Sequence, residues 1–180
     1  MATEDQGQGY IKTTTHNYVS RLATIDGAKQ VEIKGRSILE RGVIVKGNLA
    51  IVRVGRYCVI NDNTVIEPPP MVPLTLNKNV PISIGSHTYI GSHCSINAAA
   101  IGSMVYIGNN VRLGKRCIIK DNCIIEDGVI VGDDTVIPPF TRVTKTNPRY
   151  YNELPPSIAI QLQNLSLDRF ENFRQEQRMK

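Results

Sequence analysis

The sequence lacks tryptophan, and aromatic residues make up only 6% of its 180 residues. It has no apolar run near the roughly 18 residues that a membrane-spanning helix needs, so we expect no membrane insertion. Its N-terminus is polar and rich in glycine and glutamine, unlike a secretory signal or transit peptide. The composition is 41% hydrophobic, which is enough for one compact domain with a sizeable core.

The chain also lacks a concentrated charge. Its formal net charge is +5, but lysine and arginine are scattered, with no cluster of five or six. This distribution favours an ordinary solvated surface over a nucleic-acid interface, so we expect no nucleic-acid partner.

Closely spaced cysteine pairs are absent. The four cysteines form no CxxC motif, and all four fall at one position of the repeat described below. We interpret them as buried packing residues rather than disulfides or zinc ligands, which points to the reducing cytoplasm as the compartment.

A six-residue hydrophobic repeat is the dominant pattern. An aliphatic residue occupies every sixth position at Ile101, Ile107, Leu113, Ile119, Ile125, Val131, Ile137 and Val143. An amphipathic helix would repeat at 3.6 residues instead. A period of six predicts a triangular solenoid in which three short strands make one turn of about 18 residues.

Two further positions of the repeat are restricted. The residue after the aliphatic position is often glycine, as at Gly55, Gly85 and Gly102. We attribute these glycines to corners with unusual backbone angles. The fourth position after the aliphatic residue is small or β-branched and includes all the cysteines, which suits a tight inward site on a parallel strand.

This repeat resembles the hexapeptide-repeat superfamily, and the resemblance implies a left-handed parallel β-helix. After Val143 the period changes: Ile158, Leu162, Leu165 and Phe173 fall near helical spacing and predict a C-terminal α-helix lying along one face of the solenoid. We expect a flexible tail at 1–15, the β-helix at 16–146, and a linker with the C-terminal helix at 147–180.

A proline-rich segment interrupts the repeat. Four prolines fall within seven positions from Pro68, and proline cannot donate to a strand ladder. We predict a projecting loop at about 67–80, which either docks a partner or folds back over the solenoid. The candidate partner-binding residues are Pro69, Pro70, Met71, Tyr150 and Tyr151.

Part of the chain resembles the γ-class carbonic anhydrases, but it departs from them at the metal site. Lys46-Gly47-Asn48 stands where that family has Arg-Gly-Asp, and Glu67, Ser92 and Asn97 stand at the three zinc-binding histidine positions. Catalytic zinc needs three protein ligands to activate water. We therefore expect no metal, no cofactor and no enzymatic activity.

The hexapeptide acyltransferases offer an alternative function, because they use a positioned histidine as general base. His87 and His93 are the candidates on the predicted solenoid. Neither has a neighbouring acidic residue in sequence that would orient its ring.

The most extensive resemblance is to the dynactin subunit five family, and it runs from about residue 31 to the C-terminal helix. The stretches that carry it are 46–59, 65–69, 93–103, 113–121, 137–141 and 153–155. It implies a non-catalytic role in the pointed-end complex of dynactin, supporting dynein-driven transport on microtubules. The implied partners are a 27-kilodalton β-helical subunit, a 62-kilodalton subunit, an actin-related protein and dynein cargo adaptors.

Overall fold

The computed structural model describes residues 9–146 and 152–180, and the chain winds there into about six turns of short strands. The first strands are β1 (Tyr10–Lys12), β2 (Tyr18–Ser20), β3 (Thr24–Asp26), β4 (Val31–Gly35), β5 (Ile38–Leu39), β6 (Ile44–Lys46), β7 (Val52–Arg56), β8 (Val59–Ile60), β9 (Val65–Ile66) and β10 (Ile82–Ile84). They are followed by β11 (Tyr89–Ile90), β12 (Ser95–Ile96), β13 (Ala100–Ile101), β14 (Tyr106–Ile107), β15 (Arg112–Leu113), β16 (Ile118–Ile119), β17 (Ile124–Ile125), β18 (Ile130–Val131), β19 (Val136–Ile137), β20 (Thr141–Val143) and β21 (Asn152–Glu153). Short 3₁₀ helices span Ala28–Gln30 and Leu74–Leu76, and one α-helix, α1, spans Ile158–Arg178.

The strands form three sheets, one for each side of the triangular turn. Sheet A has nine strands in the order β1-β2-β5-β8-β11-β14-β17-β20-β21. Sheet B runs β3-β6-β9-β12-β15-β18, and sheet C runs β4-β7-β10-β13-β16-β19. The strands of successive turns pair in parallel, which confirms the β-helix predicted from the six-residue repeat.

The aliphatic residues of the repeat stack in register inside the solenoid. Ile90 lies beside Ile107 in sheet A, and Ile107 lies beside Ile125. All three side chains are completely buried. The core is therefore a set of aliphatic columns that run along the solenoid axis.

The small residues of the repeat also link successive turns through hydrogen bonds. Thr64 Oγ1 donates to the carbonyl of Gly91 at 2.7 Å, and Cys94 Sγ donates to the carbonyl of Gly108 at 3.1 Å. All four cysteines are buried and free, which confirms their assignment as packing residues. Burial raises the pKa of the Cys58 thiol to about 11.

The reason given above for the repeated glycines is wrong. The left-handed backbone occurs two residues later, at non-glycine positions such as His87 and Met104, where φ is 57° and 53°. A Cβ placed on Gly85 would lie 2.5 Å from the carbonyl carbon of Gly102 in the next turn. Glycine is needed because the backbones of adjacent turns approach closely.

Sheet A ends in antiparallel strands at both ends of the solenoid. At the first turn, β1 pairs antiparallel with β2. At the last turn, β21 pairs antiparallel with β20. The predicted tail reaches residue 15, whereas the described chain is already in a strand at Tyr10, whose ring packs edge-on against Phe173 at 4.9 Å.

The helix α1 packs along the outer face of sheet A, as predicted. Ile158 and Leu162 are buried, but Leu165 is 39% exposed and Phe170 is only 3% exposed. The helix is present as predicted, and its buried stripe runs in four-residue steps through Ser166 and Phe170, so that Leu165 lies beside this stripe. Within the described ranges, no helix is long and apolar enough to cross a membrane.

Candidate functional site

The three degenerate metal positions lie at two different corners of the solenoid. Glu67 and Asn97 follow strands of sheet B in successive turns, and Asn97 Nδ2 donates to the Glu67 carbonyl at 3.0 Å. Ser92 lies at the preceding corner, between β11 and β12, where its backbone N–H donates to Asn109 Oδ1 at 2.8 Å. Each of the three residues therefore has a hydrogen-bonding role in holding turns together.

The Glu67 carboxylate has a cationic partner. Lys46 Nζ lies 3.0 Å from Glu67 Oε2, and both side chains are partly exposed. A metal ion bound to this carboxylate would lie close to the ammonium charge. In residues 9–146 and 152–180, no group of three His, Cys, Asp or Glu side chains is arranged to hold a metal. The donor set at these positions therefore does not fit catalytic zinc.

Of the two candidate general bases, His93 is exposed and His87 is partly buried beneath α1. His87 Nδ1 lies 2.6 Å from Ser166 Oγ on the helix, and Ser166 Oγ donates its own proton to the Gln163 carbonyl at 2.7 Å. His87 Nδ1 must therefore be the donor in its contact with Ser166. Burial lowers the pKa of His87. This ring fastens the helix to the solenoid.

A polar cleft of about 490 Å³ lies between the end of α1 and sheet A. Tyr10 donates its phenolic proton to Glu40 Oε2 there. Burial raises the pKa of the Glu40 carboxyl and that of the Tyr10 phenol. Sequence reasoning did not find this cleft, because its lining residues are far apart in the chain. The contact attaches β1 to the second turn.

The proline-rich loop predicted at 67–80 connects β9 to β10 and is tied down at its base. Pro70 and Asn79 form an antiparallel bridge, and Asn79 Nδ2 donates to the Pro68 carbonyl at 2.8 Å. Arg116 Nη1 donates to the Pro70 carbonyl at 2.9 Å. The same guanidinium contacts both carboxylate oxygens of Asp134, at 2.7 and 2.9 Å. These contacts fix the loop to a later turn of the solenoid.

The exposed part of this loop lies beyond the residues selected from the sequence. Pro69 is buried, and Pro70 and Met71 are partly buried. The exposed apolar side chains, which we call the loop tip, are Val72, Leu74 and Leu76, at 65%, 70% and 50% exposure. Nothing in the sequence indicates which of these apolar residues turn toward the solenoid. Tyr150 and Tyr151 lie outside the described residues.

Two solved structures with a similar architecture are transferases. A hexapeptide transferase family protein from Anaplasma phagocytophilum superimposes with a TM-score of 0.64 at 17% identity, over 88% of this chain and 91% of that chain. A mutant of perosamine N-acetyltransferase from Caulobacter crescentus, in complex with CoA and GDP-perosamine, has a TM-score of 0.58 at 15% identity, over 76% and 56%. At these identities the likeness defines the fold class, a hexapeptide-repeat β-helix, and nothing further.

Comparison of the sequence, rather than of the fold, assigns the chain to a family. The model for Dynactin subunit 5 matches residues 5–177. Dynactin subunit 5 of Dictyostelium discoideum is 42% identical over 59 residues, a stretch that spans 33% of this chain and 30% of that relative. The chain belongs to the dynactin subunit 5 family.

Proposed function

We propose that this chain is a non-catalytic structural subunit of the dynactin pointed-end complex that supports dynein-driven transport and the binding of cargo adaptors. Its proposed partners are the 27-kilodalton β-helical subunit, the 62-kilodalton subunit and the actin-related protein. The proposed location is the cytoplasm, associated with microtubules. The match to the Dynactin subunit 5 model over residues 5–177 supports dynactin membership, and the particular partners are part of the proposal.

The observation that carries an assembly role is the loop tip. Val72, Leu74 and Leu76 are exposed on a loop whose base is fixed by Arg116 and by the bridge at Pro70. Exposed apolar groups on a pre-ordered segment favour binding, because little conformational entropy is lost when they are covered. We propose that the loop tip inserts into an apolar groove of a neighbouring dynactin subunit.

The experiment is affinity purification of the tagged chain from cells, with quantification of the dynactin subunits that co-purify. A triple variant, Val72→Ser with Leu74→Ser and Leu76→Ser, should reduce their recovery at least about tenfold, which corresponds to about 1.4 kcal/mol. The matched control is Ile160→Ser, which removes an apolar side chain exposed to 63% on the outer side of α1. This control should leave recovery unchanged.

Two outcomes would count against the proposal in different ways. Full recovery with the triple variant would remove the loop tip from the interface but would leave the assembly role standing. Failure of the wild-type chain to recover any dynactin subunit would contradict the assembly role itself.

An enzymatic role is the competing proposal, because the two similar solved structures described above are transferases. The position of His87 beneath α1, where its ring stacks on Tyr57, and the ion pair of Glu67 with Lys46 argue against it. Calorimetry with acetyl-CoA, and CO₂ hydration measured with added zinc, should detect neither binding nor turnover. Stoichiometric binding in the first assay, or zinc-dependent hydration in the second, would favour the enzyme.

A further inference from the structure

Three cationic side chains from two successive turns meet at the corner between sheets C and A. Lys34 and Arg36 flank Gly35 at the end of β4, and Gly35 lies directly beside Arg56 at the end of β7. Lys34, Arg36 and Arg56, which we call the cationic corner, are all exposed. The fold therefore concentrates at one edge of the solenoid charges that are scattered along the sequence.

The cationic corner is not neutralised by neighbouring carboxylates. Glu32, which is exposed on the same strand as Lys34, is paired with Arg53 at 3.6 Å. In residues 9–146 and 152–180, the carboxylates that lie within ion-pairing distance of a lysine or arginine contact other cations. Those cations are Arg41, Lys46, Arg53, Arg116, Arg142 and Arg174. Like charges that lie close together raise the free energy of the folded state, so stability alone does not account for this cluster.

Arg36 is held in place by its side chain, and Arg56 is held by its backbone. Arg36 Nη1 donates to the Tyr57 hydroxyl, and the guanidinium carbon lies 5.5 Å from the centre of the Tyr57 ring. That ring stacks in turn on His87 of the following turn. The backbone N–H of Arg56 donates to Ser86 Oγ at 3.0 Å. Cations that are already ordered lose little conformational entropy when they bind an anion.

We propose that the cationic corner binds an acidic peptide, an extended segment of a partner protein that is rich in aspartate and glutamate. A guanidinium group binds a carboxylate through two parallel hydrogen bonds, and arginine clusters recognise acidic motifs in this way. The inference goes beyond the proposed assembly role and does not depend on it.

The spacing of the cationic corner suits an extended peptide. Strands of successive turns lie about 4.8 Å apart, and residues of an extended chain rise by about 3.3 Å each. Carboxylates at neighbouring or alternate positions of a peptide can therefore reach Arg36 on one turn and Arg56 on the next. A corner of a triangular solenoid is also convex, whereas sites for small molecules are concave.

Two other polyanions fit this corner less well. Single-stranded nucleic acids bind by stacking their bases on aromatic rings, but the Tyr57 ring already lies between Arg36 and His87. Anionic membranes attract clusters of about four to eight lysine and arginine residues, which is more than the three found here. An acidic peptide needs only one carboxylate for each cation.

The chain's own N-terminal segment is a poor candidate for the occupant. Glu4 and Asp5 are the only carboxylates among its first eight residues. The segment leads into β1 at Tyr10, which pairs with Ser20 at the end of β2. The start of β2 is the end beside the cationic corner, because Tyr18 donates from its backbone N–H to the carbonyl of Ser37 at 2.9 Å. The segment therefore joins the solenoid at the opposite side of sheet A.

The test measures binding of a labelled oligoglutamate peptide to the purified full chain by fluorescence anisotropy. Lys34→Gln with Arg56→Gln should weaken binding at least about tenfold and should reduce its salt dependence, because two exposed charges are lost. Arg36 is left unchanged because it contacts Tyr57. The matched control is Lys115→Gln with Lys120→Gln, which removes the same charge from two other exposed positions and should bind as the wild type does.

A second measurement needs no variant of the chain. A carbodiimide joins a carboxylate to a lysine amine that it contacts, so coupling of the peptide to the wild-type chain should modify Lys34. Mass spectrometry identifies the coupled lysine. Coupling mainly at Lys115 or Lys120 would place the peptide elsewhere and would overturn the inference.

The remaining outcomes also decide the matter. Absence of binding to the wild type, or an equal loss in the control pair, would overturn the inference. Stronger binding to phosphatidylserine vesicles or to oligothymidylate, lost in the same double variant, would identify a membrane or a nucleic acid as the occupant and overturn it. At least about tenfold tighter peptide binding after deletion of residues 1–8 would identify the N-terminal segment instead. Recovery of dynactin subunits is measured separately, so the assembly role stands or fails independently.

Discussion

The imidazole of His87 lies against the ring of Tyr57, with centroids 5.1 Å apart and planes 9° from parallel. The two residues occupy the same left-handed corner position in successive turns, with φ of 57° and 56°. His87 also contacts Ser166, and Phe170 packs edge-on against Tyr57 at 5.6 Å. One corner of the solenoid thus provides the attachment of the C-terminal helix.

The pH dependence of stability should report this attachment. Because the pKa of His87 is lower in the folded than in the unfolded protein, the unfolded chain binds the proton first. The stabilisation contributed by the neutral His87 is therefore complete above about pH 6.5, and it is lost as the pH falls through the pKa of His87 in the folded protein. The change in the free energy of unfolding between about pH 7.5 and about pH 5.5 should be smaller in His87→Asn than in the wild type.

Asparagine tolerates the left-handed backbone, so this substitution tests the titration of His87 rather than the conformation of the turn. His93→Asn, at an exposed corner, should keep the wild-type pH dependence, and equal pH dependence in all three proteins would contradict the prediction.

Phe170 should be a main anchor of the helix. Phe170→Ala should lower the free energy of unfolding by about 3 kcal/mol, because a nearly completely buried ring is removed from between Tyr18 and Tyr57. Leu165→Ala, on the exposed side, should cost less than about 1 kcal/mol. Urea unfolding of both variants measures the difference, and equal losses would place the packed face elsewhere.

The steric reason for the repeated glycines can be tested with a matched pair. Gly85→Ala should destabilise the protein by about 1–3 kcal/mol, because the new Cβ would overlap the backbone at Gly102. Gly132→Ala should be tolerated, since the nearest atom to its Cβ is Thr135 Oγ1 at 3.3 Å. Neither glycine has a positive φ, so a comparison of melting temperatures isolates the contact between turns. A similar loss in both variants would argue for a backbone effect.

Arg116 should control the order of the proline-rich loop. Replacing it with glutamine removes the contacts with the Pro70 carbonyl and Asp134, so the loop should open more often. Tryptic cleavage after the exposed Lys78 should then be faster than in the wild type. Arg41→Gln, which breaks an exposed pair with Asp62, is the control and should not change the cleavage rate. Unchanged cleavage in the Arg116 variant would mean that the bridge at Pro70 holds the loop alone.

The period-six pattern was enough to predict the core, because each inward position is set by one local choice of residue. Ile107, Ile119 and Ile125 are buried as their spacing predicts. The glycines were located correctly but explained wrongly, since the close approach of Gly85 to Gly102 involves two turns and cannot be read from one. Spacing alone did not distinguish the exposed Leu165 from the buried Phe170. Both are apolar residues of a long helix, and the side of the helix that is buried depends on how it packs against sheet A.

The candidate surfaces were predicted less well than the core. The loop position was anticipated from its prolines, but the direction of its side chains depends on Arg116, 46 residues after Pro70. At the N-terminal end of the solenoid, Val31 and Ile33 are only partly buried, and no local sequence pattern predicts this partial exposure. Both features depend on contacts between residues that are far apart in the sequence, so they could not be predicted from local patterns.

The path of the C-terminal helix has a consequence for how the protein unfolds. A solenoid whose turns contact only their neighbours can lose them one at a time from either end. Here the chain leaves the last turn through β21 and returns along sheet A until Phe173 meets Tyr10 and Tyr18 beside the first turn. Fraying of sheet A at the first turn would break the contacts of Phe173 with Tyr10 and Tyr18, so the helix couples the two ends of this sheet. The molecule should therefore unfold in a single cooperative step rather than turn by turn.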